Sequence, residues 1–84
     1  MGTLRTMKAT ITDVIETNSV ETKVKVKLEN GETFISSFDK NIFMARHSGF
    51  KHRYGCYPEN AVGVEVSAQP PNSTHSGKID ILAN

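Results

Sequence analysis

The chain has no tryptophan, one cysteine and three prolines, and its aromatic residues number only four Phe and two Tyr. A lone cysteine, Cys56, excludes an intramolecular disulfide, and no secretory leader pattern opens the sequence. Both point to a reducing compartment, the cytoplasm. No apolar run approaches the roughly 20 residues of a membrane-crossing helix, so a membrane is not an expected partner. Charge of one sign is missing too. A formal net charge of +1 supplies no overall field, and any attraction to a polyanion must come from where the charges sit. The opening Met1-Gly2-Thr3-Leu4-Arg5-Thr6 fits the loose myristoylation pattern, but so short a match arises readily by chance, and a frayed terminus is the plainer reading.

What is present is β-branched. Val, Ile and Thr dominate the apolar and semi-polar positions, which suits pleated, half-buried strands. Eighty-four residues make one domain, with an ordered core expected over about 7–82. Met7 to Ile15 reads as a first strand with Met7, Ala9, Ile11 and Asp13 on one side and a bulge at Val14-Ile15. Glu21 to Leu28 alternates strictly, Val24, Val26 and Leu28 against Lys23, Lys25 and Lys27, the period of a strand buried on one face. Asn30-Gly31 then marks a hairpin. A two-residue type I′ loop would set Lys27 opposite Phe34, Lys25 opposite Ser36 and Lys23 opposite Phe38, with Val26 and Ile35 packed inward.

Thr33 to Phe38 is the third strand. Asp39 to Arg46 reads as a short helix with Asp39 as its N-cap and Ile42, Phe43 and Met44 as apolar contacts. Residues 46–60, containing Gly49, Gly55 and Pro58, read as a long irregular loop. Ala61 to Val66 is a fourth strand with Val62, Val64 and Val66 on one face and a bend at Gly63. Lys78 to Leu82 is the fifth, Ile79 and Ile81 inward. Five strands with a helix between the third and fourth is the plan of an all-β OB-fold barrel. An SH3-like barrel also has five short strands; the helical segment favours OB.

Three stretches within this plan resemble bacterial translation initiation factor one and related small RNA-binding OB domains. They are Val24-Lys25-Val26-Lys27-Leu28-Glu29-Asn30-Gly31, then Asp39-Lys40-Asn41-Ile42, then Val62-Gly63-Val64-Glu65-Val66 with Gly77-Lys78-Ile79. The resemblance implies the fold and an RNA-binding class, with the ribosome among the partners it brings in; a role in initiation does not follow. The chain departs from the family in reading Phe34-Ile35-Ser36-Ser37-Phe38 where a His-Ile-Ser-Gly run is usual. It also departs in the inserted 46–60 segment and in its near-neutral charge.

Two groups of residues are candidates for binding single-stranded RNA or DNA. The first is the outward hairpin face, Lys23, Lys25, Lys27, Phe34 and Phe38, where cations would follow phosphates and rings would stack on bases. The plainer alternative is a solvated lysine face that discourages edge pairing, with the two Phe covered by the 46–60 loop. The second runs from Lys40 to Tyr57, where Lys40, Arg46, Lys51, Arg53 and Tyr54 mix cations and rings with no acid between residues 40 and 54. Here the plainer alternative has Phe43 and Phe50 anchoring the loop to the barrel. His47, His52, Cys56 and His75 match none of the usual zinc spacings, so no metal or other cofactor is expected. Catalysis finds no nucleophile with an orienting group, no paired carboxylates beyond Glu29 and Glu32 at a turn tip, and no phosphate-cradling loop. A docking module for another protein is the competing function.

Overall fold

The computed structural model describes residues 6–41, 46–69 and 77–83. Five strands follow one another as β1 (Met7–Thr17), β2 (Glu21–Leu28), β3 (Thr33–Asp39), β4 (Glu65–Gln69) and β5 (Asp80–Ile81). A helix α1 (Arg46–Tyr54) and a 3-10 turn (Pro58–Asn60) lie between β3 and β4. The sheet order is β3-β2-β1-β4-β5, every pairing antiparallel. A parallel bridge from Ile35 to Lys78 brings β3 back towards β5. The result is a nearly closed five-stranded barrel of the OB type, as the element order implies.

β1 pairs with β2 along most of its length and with β4 over Met7 to Thr10, and closing the sheet requires it to bend. It does so at two bulges, where Thr12 and Ile15 fall out of register with β2. The expected bulge at Ile15 is there. The one at Thr12 reverses the parity that follows, so Asp13, expected inward, is exposed opposite Lys25, while Val14 faces Val24.

The hairpin register is a correction. The observed pairs are Lys27 with Thr33, Val26 with Phe34, Lys25 with Ile35, Val24 with Ser36, Lys23 with Ser37 and Thr22 with Phe38. The loop holds three residues rather than two. The Gly31 N–H donates to the Leu28 carbonyl at 2.9 Å and the Leu28 N–H to the Glu32 carbonyl at 2.8 Å, with Gly31 at φ +94°. That is a type I turn closed by a left-handed glycine, an alternative that Asn-Gly serves as well as type I′. One residue of slip exchanges the two faces of β3. Phe34 and Phe38 are therefore inside with Val24, Val26 and Leu28, and Ile35 is outside, 38% exposed.

Among the described residues the helix runs over Arg46–Tyr54, past the Asp39 to Arg46 segment expected to be helical. Residues 42–45, and with them Ile42, Phe43 and Met44, fall outside the described residues. Asp39 ends β3 and accepts the Asn41 N–H at 2.7 Å. The 46–60 segment, expected as a loop, is α1 plus the 3-10 turn. Its helical spacing places Arg46, Phe50 and Tyr54 on one face. Lys51, His52 and Arg53 in the last turn suit the negative helix end. Gly49, unfavourable inside a helix by about 1 kcal/mol, obscures the pattern. Phe50 is fully buried and meets Phe38 edge-on at 5.0 Å, so α1 plugs the open end of the barrel.

β4 starts later than expected. Val62 and Gly63 form a turn in which the Val64 N–H reaches the Ala61 carbonyl, leaving Val62 58% exposed rather than inward. β5 is shorter than the expected Lys78 to Leu82, but Ile81 within it and Ile79 just ahead of it are both buried, as alternation requires.

The register makes a testable distinction. Phe38→Ala should lower the unfolding free energy by about 3–5 kcal/mol through lost burial and a cavity beside Phe50, whereas Ile35→Ala should cost about 1 kcal/mol or less. Chemical denaturation of both variants checks it, and the type I′ register requires the reverse order.

Candidate nucleic-acid interface

The register fixes what the outer face of the barrel displays. Directly opposed residues share a face, so three rows run across the strands. One row is Glu16, Lys23 and Ser37; the next is Asp13, Lys25 and Ile35; the third is Glu65, Thr10, Lys27 and Thr33. The three lysines stand on the central strand of this face, each about 6.6–6.8 Å from the next. Lys25 and Lys27 are exposed and Lys23 partly so, with its Nζ 3.6 Å from Glu21. Phe34 and Phe38, expected beside them as stacking platforms, are core residues.

Two clefts flank the lysines. One of about 410 Å³ is lined by Ile15, Lys25, Thr33, Phe34, Ile35 and Gly77, at the seam where β3 approaches the C-terminal segment. The other, about 400 Å³, lies towards β1 and β4, between Lys8, Thr10, Thr12, Lys27, Leu28, Glu29 and Glu65. The first is walled by aliphatic side chains that sequence reasoning missed. Ile15 is legible as a bulge residue, and 49% of it is exposed; Ile35, expected on the inner face, lies on the outer one.

Each member of the second expected group makes a contact within the protein, while Lys51 and Arg53 stay exposed on α1. The Arg46 guanidinium donates to the Ile81 carbonyl at 3.1 Å and lies over the Phe38 ring at 5.3 Å. The Tyr54 hydroxyl donates to the Leu82 carbonyl at 2.7 Å and accepts the Ser67 N–H at 3.2 Å. Lys51 sits over Tyr57 at 4.8 Å and Arg53 over Tyr54 at 5.6 Å. Lys40 donates to the Thr17 hydroxyl at 3.3 Å. Arg46 and Tyr54 thus clamp α1 to the last strand.

Compared with known proteins, the chain matches no family model, no curated protein and no solved structure.

A polar chain closes the barrel end beneath α1. His47 Nε2 donates to Glu59 Oε1 at 2.7 Å, and its ring stacks on Tyr57 with centroids 4.6 Å apart. The same carboxylate oxygen accepts from Thr22 at 3.3 Å. Thr22 therefore takes the Thr17 hydroxyl proton at 2.9 Å, and Thr17 takes the Lys40 bond. Burial would push the Glu59 carboxyl up, but its own backbone amide, the hydrogen bond and charge of His47 and the charge of Lys40 outweigh burial and hold it below its ordinary 4.5. Among the described residues no three His, Cys, Asp or Glu side chains come together as a metal ion requires, and His75 lies outside the described residues. No helix there is long and apolar enough to cross a membrane.

A carboxyl that is more acidic folded than unfolded stabilises the fold above pH 4.5, and that contribution is lost as pH falls through the lowered value. Glu59→Gln should therefore melt at a lower temperature than wild type at neutral pH, with the gap closing in acid. Melting curves from pH 7 downward check this; parallel curves would remove Glu59 from the account.

Proposed function

We infer that the protein binds single-stranded nucleic acid through the outer face of β1, β2 and β3, without catalysis. The observation that carries this reading is the lysine row Lys23, Lys25 and Lys27 on the central strand, flanked on both sides by clefts. Cations at regular spacing along a strand suit a chain of phosphates, and the clefts suit the groups a single strand projects to either side. The likeness of the Leu28-Glu29-Asn30-Gly31 turn to the initiation-factor-one family supports the same reading. No aromatic ring stands on this face among the described residues. Affinity then rests on phosphate contacts and aliphatic contact, and it should be modest and tolerant of sequence.

The facing acids Asp13 and Glu16 weaken the field of the lysines. Exposed Ile15 and Ile35 favour the competing reading, a docking surface for another protein.

Fluorescence anisotropy with a short labelled oligonucleotide separates the two. Three phosphate contacts on a single strand should give a slope of log K against log salt near −2, at about −0.7 per contact. Lys25→Glu with Lys27→Glu should abolish binding at low salt while leaving the melting temperature within a few degrees. Absence of wild-type binding at low salt overturns the nucleic-acid reading in favour of protein docking.

A further inference from the structure

We propose that the cleft at the β3 seam is a binding site for one unstacked nucleobase, with Lys25 holding the adjoining phosphate; this rests on the nucleic-acid reading above and specifies where a base goes. Three properties of the cleft converge on that ligand.

Its walls are apolar and rigid. Ile15 projects from a bulge and Ile35 from the edge strand, so two β-branched side chains from different strands stand at one opening, with Phe34 contributing from within the barrel. Stiff branched side chains present a fixed surface for the flat face of a base, which stacking rings elsewhere provide.

Its polar edge is a backbone pair. Hydrogen-bonded pairs in the hairpin fall on even-numbered residues, as the Leu28 to Glu32 and Lys40 to Val20 bonds show, so odd-numbered residues of β3 turn their N–H and C=O away from β2. Those of Ile35 are taken by the C-terminal segment: its N–H reaches Gly77 at 2.9 Å and its carbonyl accepts from Ile79 at 3.0 Å. Thr33, two residues away in the same cleft, has the same orientation, and its N–H and C=O meet no backbone partner among the described residues. A donor beside an acceptor is what the Watson–Crick edge of every nucleobase can pair with. Pairing of this kind discriminates little among bases.

Its charge lies where a phosphate would be. Lys25 lines the cleft, and Lys27, opposite Thr33, continues the cationic path towards β1. A peptide strand laid on the same edge would be interrupted at Ile35, whose N–H and C=O are already bonded on that side.

The test uses the intact protein and two oligonucleotides of one length, one with normal bases and one with abasic sites, titrated at low salt. Wild type should bind the abasic strand about tenfold more weakly. Ile35→Ala, and separately Ile15→Ala on a different strand, should weaken the normal strand by about the same factor and leave the abasic strand unchanged. Lys25→Glu should weaken both. Circular dichroism melts of each variant confirm folding, and either isoleucine variant alone suffices. Equal binding of the two strands by wild type, or equal losses on both strands in the isoleucine variants, overturns the base site while leaving the lysine row intact. Failure of wild type to bind either strand overturns the nucleic-acid reading itself.

Discussion

The three-residue loop at Glu29, Asn30 and Gly31 decides more of this protein than any other element. Gly31 sits at a positive φ that other residues adopt only with strain, and there it adds one residue to the hairpin. That residue sets which side of β3 faces the barrel interior. Because the side-chain period of a strand is two, no intermediate arrangement exists: either Phe34 and Phe38 fill the barrel or they face solvent. With both inside, Phe38 can meet Phe50 and α1 has something to close against.

From that choice follows a division of labour among the aromatic and basic residues. The rings of Phe34, Phe38 and Phe50 serve the core, and Tyr54 and Tyr57 serve the contacts around α1. Arg46 lies over the buried Phe38 ring, and the exposed Lys51 and Arg53 lie over the partly buried Tyr57 and Tyr54. The β2 lysines stand apart on the opposite surface type, a plain outer face with aliphatic rather than aromatic neighbours. A small barrel without tryptophan has few rings to spend, and this one places them where packing gains most.

The strands were legible because their signals are local. Val24, Val26 and Leu28 against Lys23, Lys25 and Lys27 is a pattern needing no tertiary knowledge, and Ile79 and Ile81 follow the same rule. The bulge at Ile15 showed as a break in alternation. The register of β3 was not legible, because Asn-Gly supports two loop lengths and only packing selects between them. Nor was α1, where Gly49 and a strongly polar composition hide the single face of Arg46, Phe50 and Tyr54 that touches the barrel. The candidate site inherited both limits: its lysines were readable from β2 alone, while Ile35 and the cleft depend on register and on the distant Gly77. The Glu59 contacts join residues far apart in sequence, from Thr22 to His47, and no spacing rule reveals them.

The seam between β3 and the C-terminal segment carries a mechanical consequence. Among the described residues, backbone closure of the barrel there is made by the two hydrogen bonds of Ile35, with Arg46 and Tyr54 pinning the neighbouring carbonyls from the helix side. The β1–β2 and β2–β3 ladders are far longer, so the C-terminal side of the barrel, with its two-pair β4–β5 ladder and this seam, is where local opening is easiest. An opening there bares the edge of β3, whose outward residues Thr33, Ile35 and Ser37 carry no charge to repel another strand. The C-terminal segment thus covers a stretch of β3 edge that would otherwise offer its backbone to another strand.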